Sequence, residues 1–205
     1  RVEAENRYLN INGKDLDLYQ RILTYILGNN VTNFSCDSNS KQEDNTNSVN
    51  ARNIENNGNL ENTDNNKIYS INELWKYGIS GDVPIIFVKI KNINDISVIE
   101  ELVKAYEYFK TKNIEIDLVI LNEEKGNYNN YVKDAILDTV LNSGLGYMLN
   151  TKGGIYVLNG IKNKDIRLIT IYSKLVFNAQ NGNLNLQLND IEDDIPKVYI
   201  ERSNQ

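Results

Sequence analysis

Glu123-Glu124 and Asp193-Asp194 are the carboxylate pairs whose spacing comes nearest to acid–base chemistry in this chain. Cleaving a glycosidic bond takes two carboxyl groups roughly 5–9 Å apart across a cleft. Neighbouring residues on an extended chain point to opposite faces, so Glu123 and Glu124 do not form such a pair. Asp193-Asp194 belongs to an acidic run with Asp190 and Glu192 that reads as solvated linker, at best a weak ligand for a divalent cation. No catalytic pair and no metal site is assigned. The chain has no histidine, which removes Ser-His-Asp and Cys-His catalysis and imidazole general bases in one step. Cys36 is the single cysteine, so an internal disulfide and a cysteine zinc site are both excluded. Any chemistry must run on carboxylates, Lys or Tyr, and no cofactor is expected.

Gly78 and Gly81 suggest a phosphate loop, but they precede a strand. Phosphate cradles follow a strand and open a helix, where free N–H groups and the helix dipole face the anion. Here Asp82 adds repulsion, and the reading is a structural turn. In an open parallel sheet the ligand sits beyond the carboxyl ends of the strands. The groups that reach that edge are Lys91 and Asn92, then Asn122, Glu123 and Glu124, then Tyr128 and Asn129, and last Asn159 and Lys162. Paired donors and acceptors beside a flat apolar face suit sugar hydroxyls. Lys91, Asn122, Glu123, Tyr128 and Asn159 are therefore the candidate ligand-binding residues. The plainer reading is that strand ends are polar because they are wet. Trp75 and Tyr77, before the glycine turn, read as plugs for the end of the domain's own core; the alternatives are stacking on a sugar ring and packing an interdomain seam.

The elements that must carry these residues alternate between β and α. Residues 14–28 have Leu16, Tyr19, Ile22, Leu23, Ile26 and Leu27 at helical spacing, closed by Gly28. Residues 1–10 read as the tail of an earlier helix. Residues 83–90 are solidly apolar, as in a strand covered on both faces. Asn94-Asp95 caps a helix with Ile99, Leu102, Val103, Tyr106 and Phe109 on one side. Residues 114–121 form a second strand, 128–141 a second helix, 154–158 a third strand. Residues 163–178 form a third helix with Leu168, Ile169, Tyr172, Leu175 and Val176 inward. The alternation of Leu184, Leu186 and Leu188 reads as an edge strand or linker. The expected fold is α/β, a three-layer sandwich with a short parallel sheet in a half-Rossmann or flavodoxin-like βαβαβα order. The expected organisation is a helical lead-in over 1–31, an Asn-rich mobile insertion over 32–67, the parallel α/β domain over 68–182 and an acidic tail or linker over 183–205.

Composition narrows the partners. The net charge of −6 and the scattered lysines argue against nucleic acid and against polybasic membrane attachment. About a sixth of the chain is asparagine, which reads as codon bias and discounts sequons such as Asn30-Val31-Thr32. No apolar run approaches a membrane span, so the segment reads as soluble, and its start at Arg1 as a piece of something longer.

Four patches carry a resemblance. They are Leu18-Tyr19-Gln20-Arg21-Ile22-Leu23, the run from Leu74 to Ile90 with its Trp-x-Tyr-Gly-Ile-Ser-Gly-Asp-x-Pro-Ile core, Ile116-Asp117-Leu118-Val119-Ile120-Leu121-Asn122-Glu123, and Gly153-Gly154-Ile155-Tyr156. In this order, with Ala105-Tyr106-Glu107-Tyr108-Phe109 between, the chain resembles the cyclic β-1,2-glucan synthases over nearly its whole length outside 32–67. Val83 stands where that family usually has Leu. The resemblance implies a parent with a membrane-embedded glycosyltransferase region, a cyclising region and a part that looks like cellobiose phosphorylases. This piece would lie between β-sandwich modules, with no catalytic residue of its own. It implies neighbouring domains and β-glucan as partners, and the cytoplasmic side of a bacterial inner membrane as location. The expected function is that of a non-catalytic connecting domain. The alternatives are a glycan-binding module on the carboxyl edge and a nucleotide-sugar-binding half-Rossmann unit.

Overall fold

A computed structural model describes residues 11–28, 62–64, 67–124 and 130–194. The expectations for 1–10, and for 32–67 outside Asn62–Asp64 and Lys67, lie outside the described residues. So does Tyr128. Helix α1 (Gly13–Leu27) begins on Asn12, whose side-chain oxygen takes the Asp15 N–H at 2.9 Å while Asp15 takes the Asn12 N–H at 3.2 Å. Such a reciprocal cap contributes about 1 kcal/mol to a helix start. The buried face is Leu18, Tyr19, Ile22, Tyr25 and Ile26, and Leu27 turns to solvent. Tyr19, Ile22 and Ile26 thus face inward as expected, and Leu16 and Leu23 pack at the margin of the core; Leu18 and Tyr25 join them, and Leu27 alone of the expected stripe turns out.

After a short antiparallel hairpin, β1 (Asn62–Asp64) with β2 (Lys67–Tyr69), a 3-10 turn over Ile71–Tyr77 leads to Gly78. Gly78 and Gly81 hold φ of +77° and +75°, conformations that only glycine adopts without cost. They deliver the chain into β3 (Ile85–Ile90), buried except for Lys89. A second 3-10 turn follows, capped by Asn92 through the Asn94 N–H at 3.0 Å, before α2 (Ile96–Thr111). The capping side chain is therefore Asn92; Asp95 stands at the start of α2 without a side-chain cap. Strand β4 (Asp117–Asn122) is buried throughout, α3 spans Tyr131–Asn142, and β5 spans Ile155–Asn159.

The remainder departs from the expected course. Helix α4 (Asn163–Tyr172) ends six residues early, and Ser173–Asn178 is strand β6. Leu168, Ile169, Tyr172, Leu175 and Val176 satisfy a helical period. Leu175 and Phe177, buried on one face, with Val176 on the other, satisfy a period of two. β3 settles the matter, because its second edge would otherwise present unpaired N–H and C=O groups. Leu184–Asp194 is then helix α5, not an edge strand or linker. Leu184, Leu188 and Ile191 enter the core while Leu186 stays exposed. Arg21 of α1 holds α5 from outside, reaching Asn185 Oδ1 at 3.2 Å and Asn189 Oδ1 at 2.8 Å, one helical turn apart.

The sheet is fully parallel in the order β5-β4-β3-β6, four strands where three were expected. On one face α1, α2, α3 and α5 pack against Ile86, Val88, Ile90, Leu118, Ile120 and Phe177. On the other, the 3-10 turn and α4 cover Ile85, Phe87, Val119, Leu121 and Tyr156. The strand order reverses direction at β3, so α4 crosses the opposite face from α2 and α3, as chirality requires. The result is the three-layer α/β sandwich. Among the described residues no helix is long and apolar enough to cross a membrane.

The helical assignment of the last element separates two leucines that strand alternation would treat alike. Leu188→Ala is expected to cost about 2–5 kcal/mol in urea unfolding, as for a core leucine, and Leu186→Ala to stay within about 0.5 kcal/mol of the parent.

Candidate functional site

The carboxyl edge of the sheet gathers most of the sequence-predicted residues, in different states of use. Asn122 is buried at the end of β4. Its amide donates to Asn159 Oδ1 at 3.1 Å, and its own Oδ1 takes the Glu124 N–H at 2.9 Å. Both ends of that side chain therefore serve the loop, and Asn159 is its partner. Glu123 is half-buried, with its N–H on Ile90 O at 2.8 Å. Glu124 accepts the Val132 N–H at 3.4 Å. A carboxylate there replaces the cap that Asn130 does not provide and favours the positive end of α3.

Beside them lies an open groove of about 790 Å³, lined by Lys91, Asn92, Glu124, Tyr131, Asp134 and Asp138 among others. Lys91 thus lines a groove, whereas Asn122 is turned to its loop partners. One ammonium against three carboxylates gives the groove a negative balance, unsuited to a phosphate and compatible with a neutral polyol. Where β6 ends, beside the point at which strand order reverses, Gln187 takes the Asn178 N–H at 3.0 Å and donates to Gly182 O at 2.8 Å.

The amino edge lies outside the expected site, and it is where the specific sequence patches meet. Asp117 opens β4 fully buried. Its Oδ1 takes the Gly153 N–H at 2.8 Å, its backbone N–H goes to Pro84 O at 2.9 Å, and Oδ2 has no hydrogen-bond partner. Burial pushes its carboxyl up to about 6, against the pull of the Gly153 and Gly154 amides and of Lys152. The Tyr106 hydroxyl donates to Gly153 O, and the buried Tyr156 donates to Gly78 O at 3.1 Å. Lys152 pairs with Asp82 at 2.9 Å. A Cβ on Gly154 would stand 2.2 Å from Met148 O, so only glycine fits there.

On the face covered by α4, buried Asp165 in the first turn of that helix takes Lys76 Nζ at 2.5 Å and the Tyr77 hydroxyl at 2.8 Å. Desolvation works to raise that carboxyl, yet the two donors hold it below the ordinary carboxylate range. Tyr77 is thus half-buried with a polar anchor. Trp75, expected to plug the core, is 62% exposed; Leu74 and Ile79 fill that space instead. A buried aspartate at a strand start, facing a Gly-Gly pair far along the chain, was the signal available in the sequence. Nothing local connects the two.

Asp117 makes stability depend on pH. Its folded-state value lies above the ordinary unfolded one near 3.9, so the fold prefers the protonated form. That contribution is fully present below about pH 4 and lost as pH rises through about 6. Relative to Asp117→Asn, the parent chain is expected to lose up to about 3 kcal/mol between those limits in urea titrations. Parallel pH profiles of the two would refute the assignment.

No family model matches the chain. One stretch of 59 residues is 37% identical to the cyclic beta-(1,2)-glucan synthase NdvB of Rhizobium meliloti (strain 1021). The matched stretch is 29% of this chain and 2% of that protein. The chain is therefore similar, over part of its length, to a small part of a very long β-glucan synthase.

Proposed function

We infer that this chain is a non-catalytic connecting domain of a cyclic β-1,2-glucan synthase-type glycosyltransferase. It orients neighbouring domains of the same polypeptide, through which it serves glucosyl transfer on β-glucan. The parent belongs at a bacterial inner membrane, with this segment on the cytoplasmic side. The supporting observation is how the patches that carry the resemblance are used. Gly78, Asp117, Gly153 and Tyr156 hold one another's backbones at the amino edge. That is the work of a frame, and the partial similarity to NdvB points to the same kind of parent.

The test is direct. Incubated with UDP-glucose, with linear β-1,2-glucan, or with the glucan plus phosphate, the full chain is expected to yield no chromatographic product above a buffer control. Transglycosylation or phosphorolysis that survives repurification would overturn the non-catalytic reading.

A second reading, a glycan-binding module, is favoured by the groove beside Lys91 and Tyr131. It requires saturable heat on titration with linear or cyclic β-1,2-glucan, weakened about tenfold by Lys91→Ala, a loss of about 1.4 kcal/mol. A nucleotide-sugar site has less support. The turn after β3 offers Lys91-Asn92-Ile93 in place of a glycine loop, and the nearby carboxylates oppose a diphosphate.

A further inference from the structure

Trp75 is the only tryptophan of the chain, and it stands in water at the amino edge. An indole left exposed forgoes one of the largest burial gains any side chain offers. The ring is nevertheless held. Its Nε1–H donates to Ser80 O at 3.2 Å, and the Gly78 N–H returns to Trp75 O at 2.9 Å. Its one polar atom is satisfied by the same turn that Gly78 and Gly81 shape.

The turn continues into a polar group. Ser80 Oγ takes the Asp82 N–H at 3.2 Å, and Asp82 Oδ2 takes Lys152 Nζ at 2.9 Å. Both members of the ion pair are more than half exposed. The carboxylate and ammonium offer acceptors and donors together, and Glu115 and Asp117 behind Lys152 leave the local balance negative. An anionic ligand is opposed there. A neighbouring domain is the competing occupant, since aromatic residues are enriched in protein interfaces as well, and titration with sugar separates the two. A flat apolar face beside paired donors and acceptors matches a pyranose ring, which is apolar across its C–H faces and hydroxylated around its rim.

We propose that Trp75, with Asp82 and Lys152, forms a platform on which one glucose ring of a β-linked glucan stacks. This site lies at the edge of the sheet opposite the Lys91 groove. It rests on the reading of the chain as part of a β-glucan synthase-type enzyme and adds the place of contact.

The single tryptophan supplies its own readout. The full chain is titrated with linear β-1,2-glucan oligosaccharides while Trp75 emission, acrylamide quenching and heat are followed, with an α-1,4-glucan oligosaccharide as the contrast. The expected result is a saturable emission change with reduced quenching, stronger for the β-linked sugar. Affinity should fall about tenfold or more in Trp75→Ala. It should fall less in Trp75→Phe, which keeps a ring and guards against misfolding, and hold in Leu186→Ala, an exposed control on α5 at the other face of the sheet. Heat without any change at Trp75 overturns the platform and leaves the carboxyl groove as the sugar site. Neither heat nor emission change at millimolar sugar also overturns it and assigns Trp75 to contact with a neighbouring domain. Both outcomes leave the connecting role to the turnover assay, which tests it separately.

Discussion

The buried carboxylate of Asp117 is the interaction on which the arrangement of the sheet depends. A single residue at the start of β4 reaches the chain just before β3, through its N–H on Pro84 O, and the chain just before β5, through its Oδ1 on the Gly153 N–H. Three strands are thereby set to a common starting line. A hydrogen bond to a charged acceptor is stronger than one between neutral groups, and breaking it in a dry place costs more than it contributes when formed. The second oxygen of the same carboxylate has no partner. The anchor therefore carries a desolvation penalty that apolar packing on both faces must offset.

The two edges of the sheet consequently differ in kind. The amino edge is cross-tied by Tyr156 to Gly78, Tyr106 to Gly153 and Lys152 to Asp82, and the exposed indole of Trp75 stands on that frame. The carboxyl edge is held by Asn122 to Asn159, Glu124 to the first turn of α3 and Gln187 to Asn178 and Gly182, and a groove opens beside Glu124. A tied edge can transmit position between neighbouring modules, whereas an open groove admits a ligand. Placing every functional residue at the carboxyl edge followed the general rule for parallel sheets. The most specific sequence run, from Trp75 to Pro84, lies at the other end.

Much of the fold was legible. Ile85–Ile90 and the core of Asp117–Asn122 could be read as two-sided strands because a solid apolar run of that length has few other ways to leave water. The helix over Gly13–Leu27 could be read from spacing and from its stop at Gly28, although Leu18 and Tyr25 join its buried face and Leu27 leaves it. The candidate site was less legible. Asn122 has the right type for a sugar contact, yet its buried amide is spent on Asn159 and Glu124. Side-chain type announces what a group can bond, and only its neighbours determine whether that capacity is still free.

The sequence by itself determined the alternation of strands and helices, the two left-handed glycine positions before β3 and the exclusion of histidine and disulfide chemistry. Each follows from local sterics, periodicity or composition. Only the tertiary structure decided that Ser173–Asn178 is a strand and Leu184–Asp194 a helix, because those residues satisfy two periods and the open edge of β3 chose between them. It also decided that Gly153 would meet Asp117 and that Tyr156 would meet Gly78, 36 and 78 positions apart. Such pairings carry no local signal; they arise when parallel strands return to the same edge and a buried carboxylate must find a donor there.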